Sequence, residues 1–220
     1  MVMTEDETLT ALNSTPLAEL RRRAAVVTDL SGTDATPSAP ARCYRVDGAT
    51  RYATNDSGGQ SVIWYFADDG RALLLTYEHT SDLNVPGPDN DFDLQLAFYG
   101  GVPDDLRRLA GDRTEAYENQ LLEDPATGDA LLLATGVVWF DGDRWRVADG
   151  LLEHCETEGV DLGEAGLYLL SPYLLGQDFT PEAYVDGYFL FDGWDGPDRE
   201  TLLAQVGAVL ERHRAHHTQG

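Results

Sequence analysis

The sequence predicts an α+β fold: a mostly antiparallel sheet built from Asp-Gly hairpins, with peripheral helices, an N-terminal helical segment and a C-terminal amphipathic helix. Three observations carry this expectation. Asp47-Gly48, Asp69-Gly70 and Asp141-Gly142 each separate strand-like runs, and this dipeptide supplies the positive φ angles of tight hairpin turns. Helix start signals cluster at the two ends and between the hairpins. No repeated βαβ unit is present, which argues against a parallel sheet.

The elements follow in chain order. Glu5 to Asn13 and Pro16 to Thr28 read as helices, with Thr15 as a cap for the second and Pro16 at its first position. Leu17, Leu20, Ala24 and Val27 then share one face. Residues 1–30 are expected to form a helical segment, 31–41 a Ser/Thr/Pro/Gly-rich linker or loop, and 42–220 a single α+β domain. The hairpin strands are Cys43 to Val46 with Thr50 to Ala53, Ser61 to Ala67 with Arg71 to Glu78, and Leu131 to Phe140 with Arg144 to Ala148. Phe92, Leu94, Leu96 and Phe98 alternate, so Phe92 to Phe98 reads as a further strand. Gly166 to Leu170 and Gly187 to Phe191 are two more strand candidates. Helices are expected at Asp104 to Ala110, Glu115 to Leu122 and Glu182 to Val185. In the last helix Asp198 is the cap, and Leu202, Val206, Val209 and Leu210 form the buried stripe. Arg212 and Arg214 follow at its C-terminal end, where the helix dipole favours cations. Segments 62–79 and 137–154 also echo one another, from Val62-Ile63-Trp64-Tyr65 and Val137-Val138-Trp139-Phe140 to Glu78-His79 and Glu153-His154, a pattern consistent with internal duplication.

Charge is the dominant compositional feature. The 220 residues carry 39 acidic and 15 basic side chains, for a formal net charge of −24, and every basic residue is arginine. A folded chain of this mass exposes on the order of 10,000 Å², so roughly one uncompensated negative charge falls on each 400 Å². Such a field repels phosphate backbones and anionic membranes and steers basic proteins inward. Adaptation to high salt or a GC-rich genome would produce the same composition. The Arg21, Arg22, Arg23 run is the one strong basic cluster, read as an exposed helix face tied to the acidic body. No run of about 18 apolar residues is present to span a bilayer, and Met1 to Asp6 lacks the basic start of a secretory signal, so a cytoplasmic location is expected. Cys43 and Cys155 read as buried thiols rather than a disulfide framework.

Local motifs for chemistry fail one by one. Asp56-Ser57-Gly58-Gly59 resembles the nucleophile segment of chymotrypsin-like serine proteases, but the first histidine, His79, comes after Ser57, so the required order is broken. Asp89, Asp91 and Asp93 open like a calcium loop, yet Leu94 and Gly100 occupy the positions that need glycine and a bidentate glutamate. His213 and His217 lie one helical turn apart without a further zinc ligand. Glu153, His154, Cys155, Glu156 and Glu158 read as a turn-rich acidic surface. There is no P-loop, dinucleotide fingerprint, nucleophile elbow or paired CxxC. No catalytic residue, metal site or cofactor is therefore assigned.

Two loops stand out as binding candidates. Ser81 to Asp91 is long, acidic and rich in Pro and Gly, and the region around Asp192, Trp194 and Asp195 joins an aromatic cluster to carboxylates. The expected partner-binding residues are Asp82, Asp89 and Asp91 with Asp192, Trp194 and Asp195, because Trp anchors and charged rims dominate capture of a basic protein. The resulting expectation is an acidic binding protein, in concrete form an immunity-type neutraliser of a basic protein, with no nucleic-acid or membrane partner. The alternative is a small-ligand site or enzyme whose pocket is lined by Trp64, Tyr77, His79, Trp139 and His154.

Overall fold

A computed structural model of the chain describes residues 4–31, 42–56, 58–86, 90–112, 121–188 and 197–217. Helices α1 (Glu5–Ser14) and α2 (Leu17–Ser31) precede the sheet. Thr4 caps α1 through a reciprocal capping box with Glu7. Thr15 closes the same helix, its hydroxyl donating to Ala11 O at 2.8 Å. Strands β1 (Arg42–Val46), β2 (Ala49–Asn55), β3 (Gln60–Ala67), β4 (Ala72–Glu78), β7 (Gly136–Phe140) and β8 (Trp145–Val147) form an antiparallel six-stranded sheet in the order β1-β2-β3-β4-β7-β8. β5 (Leu121–Glu123) and β6 (Ala130–Leu132) pair separately. The Asp-Gly turns fall where the sequence places them, with Gly48, Gly70 and Gly142 at φ +70°, +88° and +105°.

The register explains the core. Tyr52, Trp64, Leu74, Val138 and Val147 are cross-strand partners on one face. That face is covered by α1, α2 and a 3₁₀ segment, Leu167–Tyr173: Trp64 meets Tyr173 edge-on at 5.2 Å, Arg21 bonds Thr50, and Asn13 accepts the Trp145 N–H at 2.7 Å. The opposite face carries Arg51, Tyr65, Leu73 and Trp139 in the next row of partners. It is covered by α3 (Phe92–Phe98), α4 (Asp104–Arg107) and the β5–β6 hairpin, and the Tyr99 hydroxyl donates to Leu132 O at 2.9 Å. Central strands β3 and β4 are buried on both faces, which is why they read as continuous apolar runs rather than alternating ones. Helices α5 (Asp149–Glu158), α6 (Pro181–Tyr188) and α7 (Arg199–His217) complete the described chain. Asp198 caps α7 by accepting the Thr201 N–H at 2.8 Å, and Leu202, Val206, Val209 and Leu210 are buried as the stripe predicts. Residues of α1, α2 and α7 belong to the same apolar cluster as both faces of the sheet.

Several sequence expectations are overturned. Phe92–Phe98 is a helix, not a strand. Asp91 accepts the Leu94 N–H at 2.9 Å and starts the helix, while buried Gln95 replaces a backbone partner by pairing both ways with Ala134, at 3.1 and 3.3 Å. A polar side chain satisfied in the core defeats a pattern read from apolar residues alone. Gly166–Leu170 belongs largely to the 3₁₀ segment, whose entry residue Gly166 sits at φ +74° and which contains Pro172. Leu131 to Phe140 is divided between β6 and β7. Leu121 and Leu122 lie in β5, and the rest of the expected helix, 115–120, lies outside the described residues. Gly187 and Tyr188 end α6, while Phe189 to Phe191 fall outside the described residues. The expected linker lies there too, apart from Ser31, which ends α2. Cys155 is buried as expected, but Cys43 is exposed on edge strand β1. The arginine run is exposed only in part: Arg21 is exposed, whereas Arg23 is 6% exposed and its guanidinium donates to Tyr173 O, Leu174 O and Gln177 O. Glu19 bridges Arg22 and Arg23 at 2.7 Å each, so the run ties α2 to the end of the 3₁₀ segment.

Of the echoing segments, 62–79 spans β3, β4 and the residue after them, whereas 137–154 spans β7, β8 and the first half of α5. Glu78 therefore ends a strand, while Glu153 and His154 lie on a helix.

Candidate functional site

The sheet ends on a buried carboxylate. Glu78, the last residue of β4, is 5% exposed. Its Oε1 accepts from the Thr80 N–H at 3.1 Å and the Thr80 hydroxyl at 2.8 Å. Its Oε2 accepts from the Gln60 amide at the start of β3 and from the Tyr168 hydroxyl in the 3₁₀ segment. Burial pushes the Glu78 carboxyl up, but the donors from Tyr168, Thr80 and Gln60 outweigh it and hold the group below its ordinary value. The Tyr168 phenol is driven upward, first by burial and then by its bond to Glu78 and the nearby charges of Glu78, Asp56 and Glu164. His79 follows in sequence, with Nδ1 3.3 Å from Glu78 Oε1.

This network borders a cavity of about 230 Å³ between the end of α2, the β2–β3 connection, the 3₁₀ segment and α6. Its polar lining includes Asp56, Gln60, Ser61, Tyr168, Ser171 and Tyr184. Val27, Val62, Leu169 and Pro172 supply apolar wall. Among the described residues the lining contains no arginine or histidine. Asp56 shapes the β2–β3 turn by accepting the Gly58 and Gln60 N–H groups on Oδ1, at 2.7 and 2.9 Å. Beyond Tyr168, the loop after β4 leans on Glu164: the Ser81 hydroxyl donates to Glu164 O at 2.6 Å, and the Asp82 N–H donates to Glu164 Oε2 at 3.3 Å. The rim thus brings the carboxylates of Asp56 and Glu164 near Tyr168, which is 41% exposed, with Asp82 next to Glu164 through its backbone N–H. Among the described residues none of the three carboxylates has an arginine partner. Most other surface arginines are committed to the molecule's own acids, as in Arg45–Asp68, Arg71–Asp69, Arg107–Asp104, Arg146–Asp141 and Arg199–Asp186, all at 2.5–2.8 Å.

The residues singled out from sequence are distributed as follows. Asp82 joins the rim, whereas Asp91, also exposed, spends its carboxylate capping α3. Asp89, Asp192, Trp194 and Asp195 lie outside the described residues. Trp64 is wholly buried, stacked on Phe66 and edge-on to Trp145 and Tyr173. Tyr77 points to the other side of the sheet, in a small cluster with Leu122, Leu133 and Phe92. Half-buried Trp139 shares that face, and His154 packs on Phe98 with ring centroids 4.7 Å apart. The sheet therefore separates Trp64 from Tyr77 and Trp139, and of the five only His79 stands beside the cavity network. Glu78, Gln60, Tyr168, Asp56 and Glu164 were not anticipated from sequence. They come from three separate stretches of chain, 56–60, 78 and 164–168, and no local motif joins them. Among the described residues no group of three or more His, Cys, Asp or Glu is placed to hold a metal ion, and no helix is long and apolar enough to cross a membrane.

Compared with protein-family models, with curated proteins and with solved structures, the chain matches none.

Proposed function

We propose that this protein is an acidic binding protein that captures a basic protein partner at the rim around Tyr168, a toxin-neutralising immunity protein being the concrete form. One observation carries the reading: Asp56 and Glu164 lie beside an exposed tyrosine, Asp82 adjoins Glu164, and none of the three has a cationic partner within the described molecule, while arginines elsewhere on the surface are spent on other acids. Aromatic side chains with carboxylate surrounds are effective anchors for basic surfaces. The net charge of −24 extends the attraction beyond contact range, so association should be fast and strongly salt-dependent.

The test begins with capture of a partner from the native cell at low and at high salt, followed by association kinetics on the purified pair. Combining Asp56→Asn, Asp82→Asn and Glu164→Gln should slow association by about tenfold and flatten its salt dependence, with little change in the dissociation rate. A partner that binds at the same rate in low and high salt, or that ignores the triple variant, rules the reading out.

A further inference from the structure

We propose that the cavity beside Glu78 is the receptacle for an alkylammonium group, the lysine side chain of the basic partner. This rests on the reading above and deepens it, because it assigns the buried half of the same site.

The donor bookkeeping of the wall carries the inference. Glu78 is buried and its two oxygens together accept from Thr80, Gln60 and Tyr168. The Gln60 amide nitrogen is committed to Glu78 and to the Tyr168 oxygen, the latter at 3.0 Å, which fixes the amide's orientation and leaves its Oε1 as an acceptor. Tyr168 likewise has its only proton on Glu78, so toward the cavity it offers a ring and an oxygen but no donor. The carboxylate thus consumes the donors of Gln60 and Tyr168, while other polar lining residues, Thr54, Asn55, Ser61, Ser171 and Tyr184, are neutral. Among the described lining residues Asp56 carries the one carboxylate and there is no arginine or histidine, so an anion meets no opposite charge, whereas a cation meets a carboxylate and two tyrosines.

Size and shape choose among cations. The volume of about 230 Å³ is below the roughly 300–1,000 Å³ of sites for drug-sized ligands, and the apolar stretch formed by Val27, Val62, Leu169 and Pro172 suits an aliphatic stem. Asp56 Oδ1 already takes two backbone N–H groups, which leaves one uncommitted oxygen. A planar guanidinium is best matched by two parallel bonds to a carboxylate, while a compact ammonium is served by one oxygen with neutral acceptors around it.

The experiment uses the full chain and calorimetric titration with three probes: Nα-acetyl-lysine methylamide, its norleucine counterpart of the same stem without charge, and n-butylammonium. The lysine derivative should bind about tenfold more tightly than the norleucine derivative, the scale of a desolvated cation–aromatic contact. Ser171→Trp, which fills the cavity from an exposed position, and Asp56→Asn should each abolish that preference while circular dichroism shows a folded chain. Equal binding of the lysine and norleucine derivatives, persistence of the preference in Ser171→Trp, or failure of n-butylammonium to compete with the lysine derivative overturns the inference. Equal binding alongside salt-sensitive partner capture removes this inference only. Selective lysine binding without any salt-sensitive partner removes only the reading it was built on.

Discussion

At the scale of single residues, two buried charges have opposite standing. Glu78 is a buried carboxylate that organises donors from Gln60, Thr80 and Tyr168, and truncating one partner of a buried charged network costs more than the network's net worth. Glu78→Ala should therefore destabilise the protein by about 3 kcal/mol, measured by urea denaturation. Because its folded-state pKa lies below the ordinary value, the stability it contributes is present above the unfolded pKa and lost as pH falls through the folded one. The variant should thus lose less stability than wild type on acidification, and an unchanged acid limb would contradict the role given to Glu78. Arg51 is the reverse case. It is 1% exposed, stacked 4.9 Å from the Tyr44 ring centroid and 5.8 Å from that of Tyr65, with one bond from Nε to the Tyr65 hydroxyl at 3.2 Å. Among the described residues neither of its buried Nη atoms has a hydrogen-bond partner. Ring faces compensate the charge but not the in-plane donors. Arg51→Met should leave stability unchanged or raise it by about 1–4 kcal/mol, and a large loss of stability would show that Arg51 has a partner of real energetic weight.

At the scale of elements, the informative feature is the contact between α3 and α5. A Cβ on Gly150 would stand 1.9 Å from Ala97 O, and the Gly150 N–H donates to Gly100 O at 3.1 Å. Backbone meets backbone here, with no flexible side chain able to yield. Gly150→Ala should therefore cost about 3 kcal/mol or more by forcing the two helix ends apart, a loss readable as a fall in the thermal midpoint. The same region shows why the helix Phe92–Phe98 was read as a strand. Every second residue is apolar, but Asp91 supplies a cap and Gln95 is buried only because Ala134, about forty positions later, presents its N–H and C=O. A partner that distant leaves no trace in a local pattern. The hairpin turns, by contrast, are local: Asp141 accepts the Asp143 and Arg144 N–H groups at 2.8 and 2.9 Å and also pairs with Arg146. Glycine and aspartate at adjacent positions announce such a turn before any tertiary contact exists.

At the scale of the whole molecule, charge governs response to solution conditions. Asp68, Asp69, Asp105 and Asp141 all sit below their ordinary values. Asp141 is brought to about 2, chiefly by the Arg144 and Asp143 N–H groups and then by Arg146. Depressed carboxylates bind fewer protons folded than unfolded, so stability rises with pH across their titration range. Thermal stability should change little near neutrality and fall steeply between about pH 4 and pH 2, following the ordinary carboxylate range at the upper end. At neutral pH, the excess of negative charge should make the midpoint rise as salt is added, through screening of self-repulsion. A midpoint that is flat in both pH and salt would mean that this charge is neutralised within the fold.

The sequence by itself determined the fold class, the hairpins with glycine turns, the capped last helix and the acidic field, because each depends on neighbours in the chain or on composition alone. Only the tertiary structure decided which face each aromatic occupies, that Phe92–Phe98 coils, that Arg23 is a buried tie, and that Glu78, Gln60, Tyr168 and Asp56 meet. Those outcomes depend on hydrogen bonds and packing between distant segments, where a donor finds its acceptor only after the sheet has closed.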